Sequence, residues 1–477
     1  MTLTVIWHRR DLRIDDHPAL AWAEQRGGRT IGIFIFDPGI LHLPPAQLTT
    51  GGGQVAFMLG CLQELREQYR RLGSELYFFL GDPVEKLQHL AIVLKPDYLL
   101  FCEDIEPFAL ARDRQARTVL TQLGVTVHSF TDIGLHDPAS IQTNSGEPYK
   151  VFTPFWRTWR KLAKPAPHPR PCHLVGIEPP GTLAHISFPT IAQLGFTCEQ
   201  SIPEAGEQAG LELLREFQER GLLRYQSTRD YPAIGGTSRL SPHLRFGTVG
   251  IRRIWQATQE LEPLIRSEEE RLSLETWRQE LAWREFYQHV LYFFPSLANT
   301  AYRPAMQKFH WCDRTDYFQA WCMGRTGYPI VDAAMRQLNQ TGWMHNRCRM
   351  IVASFLTKDL MINWQWGEQY FMQKLVDGDQ SANNGGWQWS ASSGMDPKPL
   401  RIFNPATQAQ KFDPDGDYIR HWLPELYHVP TIQLLSGQIE PSYRHKADYP
   451  PPLVDHKQQQ ELFKKEYARC KGNVSAD

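Results

Sequence analysis

The stretch TLTVIWHRRDLR, residues 2–13, indicates how the first part of the chain folds. Its first half is rich in β-branched and aromatic residues, which favour a buried strand, and its second half is charged. Similar β-rich runs occur at residues 30–36, 76–80, 98–102 and 125–128. Between them, apolar residues at helical spacing occupy residues 16–25, 54–72, 83–94 and 109–123. Strands that alternate with helices predict a parallel, doubly wound α/β sheet.

The turn after the first predicted strand lacks the GxGxxG glycines of dinucleotide-binding folds, since HRRDLR stands in their place. The sequence therefore gives no support for a Rossmann-type cofactor site. A different ligand at the carboxyl ends of the strands stays compatible with it.

The rest of the chain divides into a connecting segment and a second domain. Periodicity fades over residues 131–206, where proline becomes frequent and removes backbone donors. From residue 207 to about residue 422 the apolar spacing is helical, and the end of the chain is predicted to wrap and fray. We predict an α/β domain at 1–130, a linker at 131–206 and an all-α domain at 207–477.

Composition excludes several classes of protein. The 477 residues are 42% hydrophobic and 22% charged, which is typical of a folded chain. The formal net charge is −1, so a polyanion would have to meet a local basic groove. The eight cysteines form no CxxC pair, and no run approaches the length of a membrane span. We therefore predict a cytoplasmic protein with no metal site and no membrane association.

Tryptophan is the most unusual feature of the composition. The chain has 15 tryptophans, and 11 of them fall between residues 255 and 422. Core packing alone seldom requires so many, whereas indole rings stack on planar ligands and can be oxidised.

Several segments combine polar and aromatic residues in patterns that suit ligand binding. In AIGGTSRLSPHLRFG, residues 233–247, glycines and hydroxyls could cradle phosphate, although a helix cap after a glycine turn is the ordinary alternative. In ETWRQELAWREFYQH, residues 275–289, spacing places Trp277, Glu280, Trp283, Arg284 and Tyr287 on one helical face. A charged pair on an aromatic stripe favours a cleft as much as a core, because an unpaired buried charge is costly.

Two later segments carry polar clusters. GWMHNRCRMI, residues 342–351, groups cationic, amide and thioether side chains, but a solvated helix start would look similar. LVDGDQSANNGGWQWSASSG, residues 375–394, sets two aspartates and two asparagines before Trp387 and Trp389. A calcium loop would need a further acidic ligand, which the segment lacks.

Taken in order, the motifs WHRRDLR, GGTSRLSP, WRQELAWREFY, GYPIVDAAMRQL, TGWMHNRCRM, DGDQSANNGGWQWSASSGMDP and RIFNP resemble those of the photolyase and cryptochrome family. The chain is most similar to class I DNA photolyases of the cyanobacterial type, from the first strand to about residue 452. The resemblance implies a monomeric enzyme, a deoxyribodipyrimidine photolyase, that splits cyclobutane pyrimidine dimers in ultraviolet-damaged single- or double-stranded DNA. Excited reduced FAD would donate the electron, and the dimer would be flipped out of the helix.

The resemblance also implies residue roles. FAD would be bound by Tyr225, Thr237, Ser238, Ser241, Trp277, Asn346, Arg349, Asp377, Asp379 and Asn383, with Arg349 paired to Asp377 and the Asn383 amide facing the flavin N5. The catalytic residues at the dimer would be Glu280, Trp283, Asn346, Met350 and Trp389. The DNA contacts would be Arg229, Trp283, Arg347, Trp389 and Arg401. Electrons would reach oxidised flavin through Trp387, Trp364 and Trp311.

Two alternative functions remain, and the resemblance also implies a second, light-harvesting chromophore. A cryptochrome-like FAD photoreceptor is disfavoured by Asn383, where plant sensors carry a carboxylate and animal sensors a thiol. Repair of (6-4) photoproducts, which is associated with a histidine near Asn346, is disfavoured because the pocket segment reads MHNRCRM, with Met350 in the position typical of dimer repair. For the light-harvesting chromophore, Asp104 and Glu106 favour 8-hydroxy-5-deazaflavin over a folate, although Gln54 stands where close relatives carry arginine.

Overall fold

The structure, a computed structural model, describes residues 1–41, 50–395 and 400–474. The chain divides into two compact units. The first comprises Met1–Cys198, Pro203–Leu223 and Ser238–Pro295, and the second comprises Glu199–Ile202, Arg224–Thr237 and Ser296–Asp477. The predicted division at residues 130 and 206 concerns sequence domains and stays a prediction.

A five-stranded parallel sheet forms the centre of the first unit. The strands are β1 (Leu3–His8), β2 (Arg29–Phe36), β3 (Leu76–Leu80), β4 (Tyr98–Cys102) and β5 (Thr126–Phe130), in the order β3-β2-β1-β4-β5. Val5 lies opposite Ile31 on one side and Leu99 on the other. The central strands are buried almost throughout, as apolar runs in a sheet covered on both faces require. The predicted doubly wound sheet is confirmed.

The helices in chain order are α1 (Pro18–Arg26), α2 (Pro38–Leu41), α3 (Gly52–Arg71), α4 (Pro83–Leu94), α5 (Pro107–Gln122), α6 (Phe152–Trp159), α7 (Glu207–Glu216), α8 (Tyr225–Thr228), α9 (Ser241–Phe246), α10 (Ile251–Leu261), α11 (Glu268–Phe293), α12 (Pro304–Gln307), α13 (Thr315–Cys322), α14 (Pro329–Thr341), α15 (Asn346–Ser354), α16 (Trp364–Lys374), α17 (Gln380–Ser390), α18 (Pro405–Phe412), α19 (Asp417–Trp422), α20 (Thr431–Ser436), α21 (Pro441–Ala447) and α22 (His456–Val474). The second unit contains α8 and α12 to α22 and is helical, as predicted. Over the described ranges, no helix has the length and apolarity needed to cross a membrane.

The charged turn after β1 is buried and tied to distant segments of the first unit. The Arg13 guanidinium pairs with Asp132 at 2.7 Å, and Arg252 of α10 pairs with the same carboxylate. Burial alone would raise the pKa of Asp132, but these two cations hold it well below its usual range. The turn therefore serves as a structural anchor between the sheet and α10.

Helix α6, at residues 152–159, lies inside the segment 131–206 that the sequence analysis predicted to be a linker. The helix is short, and Pro154 within its first turn obscures the pattern in the sequence. Phe155, Trp156 and Trp159 are nevertheless spaced to bury one face, which packs against α11. Tertiary packing therefore stabilises a helix that the local sequence does not predict.

Candidate functional site

An ion pair with an unused acceptor lies on the second unit. The Arg349 guanidinium on α15 donates to Asp377 Oδ2 at 2.7 Å, and its Nε donates to the carbonyl oxygen of Met344 at 2.9 Å. The Asp377 carboxylate is buried, and its Oδ1 has no hydrogen-bond partner among the described residues. An unsatisfied buried acceptor costs free energy that a donor on a ligand would recover. The predicted pair is present, and one of its oxygens is available to a ligand.

The start of α17 is held by a second polar cluster. Asp379 caps the helix, because its Oδ1 accepts from the backbone N–H of Ala382 at 3.1 Å. The Asn383 amide donates to the carbonyl oxygen of Glu368 at 3.0 Å, and Asn384 donates to the Glu368 carboxyl at 2.8 Å. Glu368 on α16 therefore fixes two neighbouring amides.

Glu368 is a functional candidate that the sequence analysis missed. Its side chain is buried, and burial raises the pKa of its carboxyl to about 8. Nothing local in the sequence WQWGEQYF marks this glutamate as buried, because only the fold brings α17 against it. The acid is therefore protonated over the neutral range and donates or accepts as a neutral group.

The glycine-rich segment has the close packing that its sequence suggested. A Cβ at Gly236 would lie 2.6 Å from the carbonyl oxygen of Thr228, whereas a Cβ at Gly235 would meet nothing within 4 Å. In this segment Thr237 is half-buried. Tyr225, on the preceding helix α8, is buried, and the Arg229 guanidinium lies 5.2 Å from its ring. Gly236 is therefore required by packing, while Gly235 leaves open space beside the backbone.

In the first unit, Ser238 is buried and its hydroxyl accepts from the backbone N–H of Leu240 at 3.4 Å. Ser241 is exposed at the start of α9, a helix of six residues. The hydroxyls predicted to meet phosphate therefore differ in exposure.

Helix α11 presents the predicted aromatic stripe in the first unit. Trp277 is buried and packs 4.8 Å from the ring of Phe217, whereas Glu280 and Trp283 are half-buried. The ring of Phe152 stacks on Trp283 with centroids 3.7 Å apart and planes 8° apart. Phe152 was not recognised from the sequence, because its segment was treated as a linker.

The three predicted electron-transfer tryptophans share one hydrophobic cluster of the second unit. Trp364 and Trp387 are buried within it, and half-buried Trp311 packs against it, 4.4 Å from the ring of Phe309. Gly367 is required there, since a Cβ would lie 2.1 Å from the Trp387 ring. The structure therefore brings the three indoles into one cluster.

The predicted DNA contacts of the second unit combine cations with aromatic rings. Arg347 pairs with Asp230 at 2.7 Å and lies 4.2 Å from the ring of Phe412. Exposed Arg401 lies 5.4 Å from the ring of Trp389. Asn346 is exposed and Met350 is half-buried on the first turns of α15. These side chains are accessible enough to meet a ligand.

The two predicted antenna residues lie in an arginine cluster of the first unit. Arg10 reaches Asp104 at 3.3 Å and Glu106 at 2.9 Å, and Arg245 reaches Glu106 at 3.6 Å. Burial alone would raise the pKa of Asp104, but Arg10 and its neighbours lower it. The cavity beside Asp104 measures about 20 Å³, enough for about one water molecule. This cavity is therefore too small to enclose a chromophore.

One buried cluster contains residues of metal-ligating type, His8, Asp11 and His17. His8 Nε2 lies 2.7 Å from the Tyr69 hydroxyl, His17 Nε2 lies 2.8 Å from Asp11 Oδ2, and the backbone of Leu20 donates to His17 Nδ1. Because these atoms already have partners, we interpret the cluster as a hydrogen-bond network that orders the turn after β1.

Comparisons with known proteins match both ends of the chain to one family. Residues 4–172 match the model described as DNA photolyase, and residues 277–469 match the model described as FAD binding domain of DNA photolyase. A relative from Synechococcus sp. named deoxyribodipyrimidine photo-lyase is 49% identical over 480 residues, which cover 99% of this chain and 97% of the relative.

Solved structures of the same family superpose on the whole chain. A class III photolyase from Agrobacterium tumefaciens has a TM-score of 0.90 at 36% identity, covering 99% of this chain and 98% of its own. An archaeal photolyase from Sulfolobus tokodaii, described with two FAD molecules, has a TM-score of 0.84 at 33% identity, covering 98% and 100%. A Synechocystis cryptochrome has a TM-score of 0.86 at 28% identity, covering 98% and 99%. Similarity of fold therefore does not by itself separate class I from class III or repair from sensing.

Proposed function

Because this chain belongs to the photolyase and cryptochrome family, we propose that it uses blue light to split cyclobutane pyrimidine dimers in DNA, as a photolyase of class I. It is a deoxyribodipyrimidine photo-lyase, the kind of enzyme for which its curated relatives are named. The observation that carries the proposal is the Arg349–Asp377 pair, in which one buried carboxylate oxygen lacks a partner within the described residues. A cation beside a free acceptor suits a reduced flavin ring, which offers both a donor and negative charge.

The residues present fit FAD, for which the chain carries a binding domain at residues 277–469. When bound and reduced, the flavin supplies the electron that light drives to the dimer. Arg349 stabilises negative charge at the ring, and the neutral Asn383 amide adds no opposing charge. Asn346 and Asp379 would also lie beside the flavin ring. The rest of the cofactor would be held by Tyr225, Thr237, Ser238, Ser241 and Trp277.

The lesion is recognised by stacking and by one carboxyl group. Trp283 and Trp389 stack on the flipped pyrimidines, whose extrusion costs less than that of intact bases. Glu280 donates or shares a proton with a thymine carbonyl, and so stabilises the dimer when it carries the extra electron. Asn346 and Met350 are the further residues proposed to meet the dimer.

The strand backbone is met by Arg229, Arg347 and Arg401, because a chain of formal net charge −1 needs local cations for its phosphates. Trp387, Trp364 and Trp311 would carry electrons from an external reductant at the protein surface to oxidised flavin. We further propose a monomer in the cytoplasm, where a reducing environment suits eight free cysteines.

The light-harvesting chromophore is proposed to be 8-hydroxy-5-deazaflavin, held near Asp104 and Glu106. Both carboxylates already form ion pairs with Arg10. The chromophore would therefore bind beside carboxylates whose charge is already compensated. Expression in a host that makes deazaflavin should add an absorption band that FAD cannot supply. A folate spectrum, or a second flavin such as the one described for the Sulfolobus tokodaii protein, would contradict this assignment. Neither result would bear on the proposed repair reaction.

A cryptochrome-like photoreceptor is the second candidate, because a cryptochrome shares this fold at 28% identity. Repair and sensing are separated by mixing reduced protein with ultraviolet-irradiated oligothymidine and following thymine absorbance. Recovery under blue light, and not in the dark, is expected for a dimer photolyase. No recovery in light, with flavin bound, would favour the photoreceptor, and activity restricted to (6-4) lesions would reassign the substrate.

A further inference from the structure

Phe152 and Trp283 form a near-parallel ring stack within the first unit. Their centroids are 3.7 Å apart and their planes differ by 8°. At this separation one whole face of the indole is covered by the phenyl ring. The proposed function uses Trp283 as a stacking surface for a pyrimidine but gives Phe152 no role.

The position of Trp283 on α11 indicates which face is covered. At about 100° per residue, Glu280 lies about 60° to one side of Trp283, and Phe286 lies about 60° to the other. Phe286 is buried against α6, where its ring contacts Phe155 at 5.3 Å and Phe152 at 5.8 Å. Trp283 therefore lies at the boundary between the stripe that carries Glu280 and the face that packs on α6. Phe152 covers one face of Trp283, and on the Glu280 side of α11 the Tyr287 ring lies 5.6 Å from the Trp283 ring at an angle of 34°. Trp283 is only half-buried, so part of its ring is open to a ligand.

Helix α6 is fixed firmly enough to support a ring. Trp159 at its end donates from Nε1 to Glu285 on α11 at 2.8 Å. The other oxygen of Glu285 accepts from the backbone N–H of Leu135 at 2.7 Å. Phe155, in the middle of α6, is fully buried, and its ring centroid lies 5.3 Å from that of His289 on α11. The helix and the α11 face therefore move together.

We propose that Phe152 is a positioning residue for lesion recognition: it braces the covered face of Trp283, so that the opposite face is held ready for a flipped pyrimidine. The inference rests on the proposed function. An indole stacked on one side has fewer orientations in the free protein, so less freedom is lost when the lesion stacks on the other side. The completed arrangement is a stack of three rings, Phe152, Trp283 and the pyrimidine.

The test measures binding of the flavin-loaded protein, in the dark, to labelled oligothymidine with and without a single dimer. Phe152→Ala and Phe152→Leu should weaken dimer binding on the order of 3- to 10-fold, the value of one aromatic stack. Affinity for undamaged oligonucleotide and flavin content should be unchanged. Phe152→Tyr should restore dimer binding, because it restores the ring. Phe155→Leu is the matched control, since it perturbs the same helix and leaves the stack in place.

Three outcomes would overturn the proposal. Dimer binding by Phe152→Ala that is no weaker than that of the unmodified protein would mean that the stack on Trp283 does not contribute to recognition. Failure of Phe152→Tyr to restore binding, or an equal loss with Phe155→Leu, would mean that only the integrity of α6 matters. If the unmodified protein itself showed no preference for the dimer, the proposed function would fail together with this inference, and that result is distinct from the other three.

Discussion

Replacing Glu368 with glutamine should change how stability depends on pH. The Glu368 side chain is 2% exposed, and burial raises its pKa to about 8 from an ordinary value of 4.5. The unfolded chain therefore releases this proton near pH 4.5, whereas the folded chain keeps it until about pH 8. Between these values the folded state binds more protons, so stability contributed by the protonated acid is lost as pH rises.

The magnitude follows from the gap between the two pKa values, which corresponds to up to about 5 kcal/mol of unfolding free energy. Glutamine has the shape of the protonated acid and can accept from the Asn384 amide as the carboxyl does. Glu368→Gln should therefore cost little at pH 5 and become progressively more stable than the unmodified protein up to pH 9.

The assay is urea denaturation of both proteins at several pH values between 5 and 9, with the same excess of FAD throughout. The measured quantity is the difference in unfolding free energy between the variant and the unmodified chain. Glu461→Gln, at an exposed position on α22, is the matched control and should give a difference that does not change with pH. A constant difference for Glu368→Gln as well would refute the argument that this acid is held neutral.

Three further changes test other parts of the molecule. Asp132→Ala should lower the unfolding free energy by about 3–5 kcal/mol, because it leaves Arg13 and Arg252 buried without their shared carboxylate; a loss below 1 kcal/mol in urea denaturation would contradict this. Glu280→Ala should slow dimer repair at least about 10-fold at saturating DNA with flavin content unchanged, and equal loss of flavin would indicate a structural role. Trp311→Phe should block photoreduction of oxidised flavin yet spare repair by chemically reduced protein; loss of both would remove Trp311 from the electron path.

The sheet could be predicted because its decisive residues are local in sequence. The run VIW is apolar at every position, and such a run next to β-branched residues is typical of a strand buried on both faces. Once this run is placed as strand β1, the charged turn that follows it must lie at the carboxyl end of that strand. Helix α6 shows the opposite case, because its eight residues form a helix only through packing on α11.

The residues of the candidate site also fall into two groups, those that a sequence motif identified and those that only the fold reveals. Arg349 and Asp377 were found through a motif, and their pairing at 2.7 Å agrees with it. Glu368 and Phe152 carry no motif, since the first is defined by burial beneath α17 and the second by a stack between distant segments. Residues of this kind act through long-range contacts, and a single sequence does not contain those contacts.

The charges around the proposed lesion pocket favour recognition by stacking over attraction to the DNA backbone. Arg347 already pairs with Asp230 at 2.7 Å, and Arg401 lies over the Trp389 ring, 5.4 Å from its centre. Each cation that is paired within the protein releases fewer counterions when it meets a phosphate, so it adds less to non-specific binding. Stacking on a flipped pyrimidine needs no net charge and is only weakly affected by salt. The ratio of the affinities for a dimer and for intact DNA should therefore stay about constant as salt is raised while both affinities fall, because salt weakens the backbone contacts shared by both ligands and leaves the ring contacts that belong to the lesion.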